Sequence, residues 1–87
     1  MISENRIAVV NILVWTRQVS DRINSILSDY GDFIIGRMGL PYKEKNVSVL
    51  CVVLDAPVEV INALTGKLGK IDGATVKALF ERRKEVL

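Results

Sequence analysis

Two stretches of this chain, RIAVVNILV (6–14) and VSVLCVVLDA (47–56), are apolar on both of their alternating faces. In the first, Ile7, Val9 and Leu13, continued by Trp15, alternate with Ala8, Val10, Ile12 and Val14. In the second, Val47, Val49, Cys51 and Val53 alternate with Ser48, Leu50, Val52 and Leu54. A strand with one wet face alternates apolar and polar, whereas one that is apolar on both sides is covered on both sides. The pair therefore predicts two central strands in a sheet that needs cover above and below. The apolar run from Ile7 to Trp15 is broken by Asn11 and falls far short of the roughly 20 residues of a membrane-spanning helix. Glu4 precedes it and no small-residue cleavage site follows, so it reads as a buried strand and not as a signal peptide.

Between these strands the period changes. In TRQVSDRINSILSDYG, Val19, Ile23, Ile26, Leu27 and Tyr30 recur at helical spacing, with Arg17, Asp21, Arg22, Ser25 and Asp29 on the other face. Thr16 is the expected N-cap, and Gly31 suits a left-handed residue after the helix, which predicts a helix over 17–30. A second strand is expected over 32–40, ending at Pro41, which cannot donate to a ladder and is tolerated at an edge or a strand end. PYKEKN then forms a polar turn. After the strand over 47–56, Asp55 is placed to cap a second helix, with Pro57 in its first turn and an apolar stripe of Val60, Ile61, Leu64 and Leu68. Gly66 and Gly69 weaken its end. The turn IDGA leads to a last strand over 75–81. The order βαββαβ is the split βαβ, ferredoxin-like arrangement, an α+β fold with an antiparallel four-stranded sheet. Right-handed crossovers put the first and third strands in the centre and both helices on one face. The other face then needs a partner, because a soluble monomer rarely leaves so large an apolar face exposed.

The 87 residues suffice for one domain over 1–87, with its core at about 6–81. A chain this short buries only roughly 60–65% of its unfolded surface, and 49% hydrophobic residues exceed what one small core hides. Self-association is expected. Net charge is +2, mildly basic and well short of a nucleic-acid binder's bias. One cysteine cannot form an internal disulfide, which fits a reducing cytoplasm. The absence of histidine removes His-based metal sites, Ser-His and Cys-His nucleophile pairs and a histidine pH switch.

Few residues invite chemistry. GKLGKIDG lacks the spacing of a phosphate loop and follows a helix where such a loop follows a strand. Cys51, mid-strand, reads as a small buried hydrophobe. Asp55 and Glu59 read as helix-capping and dipole-compensating acids, and Asp29 and Asp32 as solvated turn residues. Arg82, Arg83 and Lys84 read as a solvated end. Arg37 stands apart. It lies between Gly36 and Gly39 on an expected edge strand, with Tyr42 and Lys43 just beyond. It is either an anion-binding arginine approached closely across the glycines, or a charge that guards the edge against strand addition. The candidate ligand-binding residues are Arg37, Gly36, Gly39 and Tyr42. No metal or cofactor is expected.

YGDFIIGRMGLPY, with SVLCVVLDAPVEVINALTGKLGKIDGATVKALF, resembles a small family of proposed iron-only hydrogenase system regulators, over about 6–80. The most specific part is GDFIIGRMGLPY, supported by LDAP and ALTGKLG. The resemblance implies an ACT-like fold, similar to the C-terminal domain of nickel-responsive repressors. It also implies oligomers and small effectors bound at subunit interfaces. The chain departs from those repressors in having no histidine and only five residues before its first strand, so nickel sensing and a DNA-reading module are not expected. The strand-to-helix turn VWTRQV also lacks the glycine usual in amino-acid-binding ACT domains. The expected protein is a cytoplasmic, non-catalytic regulatory module. It associates with itself, takes a small anionic effector, and neither binds DNA specifically nor enters membranes. The alternative is a protein-interaction or assembly accessory for metalloenzyme maturation, without a small ligand.

Overall fold

The computed structural model describes residues 4–82. Its elements run β1 (Asn5–Val14), α1 (Arg17–Asp29), β2 (Ile34–Tyr42), β3 (Val47–Pro57), α2 (Val58–Gly69) and β4 (Ala74–Phe80), with single 3-10 turns at Gly31–Phe33 and Lys43–Lys45. The sheet order is β2-β3-β1-β4, every pair antiparallel. This is the expected α+β ferredoxin-like fold, and the two strands that are apolar on both faces are the central pair.

The helices cover one face. Ala8, Val10, Ile12 and Val14 of β1 and Leu50, Val52, Leu54 and Ala56 of β3 are buried on that side. Ile23 and Leu27 of α1 and Leu64 and Leu68 of α2 pack on most of them, and Ile61 joins Ala8 and Ala56 in a smaller cluster with Phe33, Val60 and Phe80 at its border. Each fully buried aliphatic side chain of this kind contributes about 1.5–3 kcal/mol. No side chain in this core is polar or charged.

The helix ends show where local signals held and where they did not. The Thr16 hydroxyl accepts from the Val19 amide at 3.2 Å, as a capping threonine should. At the other end Gly31 is not left-handed. The chain tightens instead into a 3-10 turn, with the Tyr30 amide donating to the Leu27 carbonyl and the Phe33 amide to the Tyr30 carbonyl, both at 3.0 Å. The left-handed residues are Asn46, which closes the β2–β3 turn at φ 53°, and Gly73 at φ 90°. A Cβ on Gly73 would also meet Val19 Cγ2 at 3.3 Å, so conformation and space both call for glycine there.

Asp55 does not cap α2. β3 runs on to Pro57, placing Asp55 opposite Ile7 in the ladder and exposed, and Pro57 precedes α2 with no side-chain cap. Pairing with β1 offers Asp55 and its neighbours regular backbone hydrogen bonds, and this outweighs one capping contact. Glu59 does stand in the first turn of α2. Of the charged end, Arg82 is exposed; Arg83 and Lys84 lie outside the described residues.

β2 is an edge strand, longer at its C-terminal end than the sequence suggests. It passes through Pro41, which pairs with Ser48, and ends at Tyr42. Its register slips once: Ile34 faces Leu54, and Gly36 faces Val53, with Ile35 as the extra residue of a bulge. The slip reverses which face each later residue occupies. In an unbroken ladder Arg37 would stand opposite Cys51, whereas with the bulge it stands opposite Val52 on the helix side. Met38, Leu40 and Tyr42 are turned to the helix-free face, opposite Cys51, Val49 and Val47.

Candidate functional site

Paired residues of an antiparallel ladder share a face, so the register maps the helix-free side of the sheet row by row. Leu40, Val49, Leu13 and Thr75 form one row. Met38, Cys51, Asn11 and Lys77 form the next, and Gly36, Val53, Val9 and Leu79 the third. Leu13, Met38, Leu40 and Leu79 are exposed, the last at 67%. Asn11 is the polar member of the middle of this surface, and its side-chain amide donates to the Lys77 carbonyl at 3.4 Å. Lys77 of β4 and Asp55 of β3 bring charge to it, as does Glu81, whose carboxylate accepts from the Ile7 amide at 2.8 Å. Cys51 is half-buried here and is not the enclosed hydrophobe its mid-strand position suggests. Being apolar on both faces, β3 hides one row under the helices and leaves the other, with Cys51, on the open side.

An open cleft of about 350 Å³ lies at one end of the sheet, where β1 passes into α1 and the β2–β3 turn comes alongside. Trp15, Thr16, Arg17, Ser20 and Asp21 line it from the β1–α1 side, and Tyr42, Lys43, Asn46 and Ser48 from the turn. Trp15 is anchored by its amide, which donates to the Gly73 carbonyl at 3.3 Å. The Tyr42 hydroxyl donates to Glu44 Oε2 at 3.3 Å.

The four residues singled out in the sequence are not gathered at one place. Tyr42 lines the cleft; Arg37, Gly36 and Gly39 do not. Gly36 is on the open face with no heavy atom within 4 Å of where a Cβ would be. Gly39 is on the helix side and does not lead into the turn, since β2 continues past it; its Cβ would lie 3.3 Å from Leu50 Cδ2. Arg37 is exposed and its Nη2 donates to Asn24 Oδ1 of α1 at 2.6 Å. Sequence reasoning missed Trp15, Arg17 and Lys43 as neighbours in space. The signal was there in part, because Trp15 directly precedes the capping residue Thr16 and Lys43 follows Tyr42. Among the described residues no group of three His, Cys, Asp or Glu side chains is placed to hold a metal ion. No helix among them is long and apolar enough to cross a membrane.

Fold and surface together define a small ferredoxin-like domain with an apolar open sheet face and a cleft at its rim. A family model described as "TM1266-like: Iron-only hydrogenase system regulator, putative" matches residues 6–78, and the chain belongs to that family. Among solved structures it is similar to the uncharacterized protein TM1266 from Thermotoga maritima. The two share 31% identity at a TM-score of 0.87, over 91% of this chain and 100% of that one. Comparison with functionally curated proteins gives no match.

Proposed function

We propose that this chain is a non-catalytic regulatory module of an iron-only hydrogenase system, in which two copies cover each other's open sheet faces and the rim cleft takes a small effector. Family membership supports the regulatory role. The observation that carries the assembly is the open face itself. Exposed Leu13, Met38, Leu40 and Leu79 join half-buried Val9, Val49 and Val53 into one apolar surface spanning all four strands. A second copy suits it for two reasons. A two-fold contact sets a surface against itself and needs no other partner, and the face carries a cation, Lys77, and an anion, Asp55, which such a pairing can bring together. Tyr42 belongs both to this face and to the cleft, so an effector held there borders the interface between copies.

Sedimentation velocity at micromolar concentration tests the assembly, with Leu40→Asp as the disrupting variant. The wild type is expected as a dimer or larger species, and the variant as a folded monomer by circular dichroism. Cys51 is the only cysteine and lies within the face, so its thiol should react with an aromatic disulfide more slowly in the wild type than in Leu40→Asp. A wild type that stays monomeric and folded across that range overturns the reading. It would leave the face for a different protein, as an accessory to metalloenzyme maturation.

A further inference from the structure

We infer that the rim cleft binds a flat-ringed anion of mononucleotide size. The inference rests on the reading above that the protein takes a small effector, and it adds the chemical class. Five aromatic residues are present in the chain. Tyr30, Phe33 and Phe80 pack against the core clusters. The two that are exposed, Trp15 at 47% and Tyr42 at 41%, both line this one cleft. They come from separate elements, one ahead of α1 and one at the end of β2, so their convergence is a product of the fold and not of sequence adjacency. Exposed aromatic rings offer stacking surface to any planar ring system.

The charges select among planar ligands. Arg17 and Lys43 line the cleft, and neither makes an ion pair with a described residue. The first turn of α1 holds no acidic side chain, so no carboxylate within it offsets the positive end of that helix. One carboxylate, Asp21, also lines the cleft. Two cations against one carboxylate favour a singly or doubly charged anion over a polyphosphate. Asp21 itself suits a ligand carrying an amine or hydroxyl donor, and Ser20, Ser48 and Asn46 add hydrogen-bonding groups. A volume of about 350 Å³ is near the lower end of small-molecule sites, roughly 300–1,000 Å³. A ring, a donor and one anionic group within that size describe a nucleoside monophosphate better than an aliphatic acid or a bare phosphate.

The single tryptophan makes the cleft its own reporter. The full chain would be titrated with the four common ribonucleoside monophosphates, and separately with adenosine, ribose 5-phosphate and inorganic phosphate. Trp15 emission would be corrected against free tryptophan amide. At least one monophosphate is expected to change the emission saturably, at least tenfold more tightly than adenosine, ribose 5-phosphate or phosphate. By calorimetry, Arg17→Gln, Lys43→Gln and Tyr42→Leu should each weaken that binding about fivefold or more, and Lys70→Gln, outside the cleft, should not. Ribose 5-phosphate or phosphate binding as tightly as the nucleotides overturns the ring requirement, while leaving a small-effector site in place. No saturable binding by any monophosphate overturns the inference. The sedimentation result then decides separately whether the self-association reading survives.

Discussion

Arg37 Nη2 donates to Asn24 Oδ1 at 2.6 Å, tying edge strand β2 to helix α1 across the side of the sheet that the helices cover. The bulge at Ile35 makes this possible by turning Arg37 to that side. The contact is exposed, so solvent competes for both partners. Arg37→Ala is expected to lower stability by less than about 1 kcal/mol in urea denaturation, and Asn24→Ala by a similar amount. The double variant should lose little more than either single one, because both remove one contact. Neither should alter binding in the rim cleft. A loss of anion affinity in Arg37→Ala alone would make this arginine a ligand-binding residue after all.

The two glycines that flank Arg37 and Met38 should respond oppositely to added bulk. A Cβ on Gly39 would press on Leu50 Cδ2 at 3.3 Å, and Leu50 is only 8% exposed within the core. Gly39→Val should therefore cost about 1–3 kcal/mol, the usual range for overpacking. Gly36 has open space around its Cβ position and no positive φ. Gly36→Val should leave the stability of the single chain within about 1 kcal/mol of the wild type. Chemical denaturation of a monomeric Leu40→Asp background separates folding from assembly. Equal losses at both positions would contradict the register described here.

The fold was legible in the sequence because its strongest signals are periodic. β1 and β3 announce their central place by being apolar on both faces, and the 3.6-residue stripe through Ile23 and Leu27 marks α1. Single-residue signals were less dependable. Asp55 and Gly31 each have a favoured local role, and in each case a longer-range or alternative hydrogen-bonding pattern prevailed: the β1–β3 ladder for Asp55 and a 3-10 turn for Gly31. The cleft was mostly illegible. Trp15 and Tyr42 are brought together only by the sheet order and by the extension of β2 past Pro41. The bulge at Ile35 was not placed by the sequence, and parity along β2 cannot be read until its position is fixed.

Lys67 offers a test of how α2 is joined to α1. Its ammonium lies 5.0 Å from the centroid of the Tyr30 ring. A hydrogen bond to the Tyr30 side chain, and then the charge interaction with it, raise the Lys67 pKa above its ordinary 10.5. A cation whose pKa is raised by folding adds stability that is complete below its unfolded pKa and is lost as pH rises through the folded value. The stability difference between wild type and Lys67→Met should thus be constant at neutral to mildly alkaline pH and shrink once pH passes 10.5. Tyr30→Phe keeps the ring and removes the hydroxyl, so it should abolish most of that pH dependence. Urea midpoints measured from neutral to strongly alkaline pH decide the matter, and a difference that grows with pH would refute the assignment.

The bulge residue gives the sharpest connection between sequence and assembly. Ile35 is the extra residue between Ile34, opposite Leu54, and Gly36, opposite Val53. Deleting Ile35 removes the extra residue and leaves Ile34 and Gly36 as direct neighbours opposite Leu54 and Val53, so the ladder becomes regular and every later residue of β2 keeps its partner and its face. Arg37 then stays opposite Val52 on the helix side, and Met38 and Leu40 stay on the open face. The deletion should therefore leave the sedimentation equilibrium close to that of the wild type. Met38→Arg instead places a guanidinium opposite Cys51 on the open face without touching the register, and an interface burying it would need a partner for that charge. This variant should shift the equilibrium toward monomer by about tenfold or more in dissociation constant. Both variants should remain folded by circular dichroism, because β1, β3 and the helices keep the core cluster of Val10, Ile12, Val52 and Leu64. Loss of association in the deletion variant would mean that Ile35 itself belongs to the contact, and full association of Met38→Arg would mean that the residues turned outward by the bulge take no part in the contact between copies.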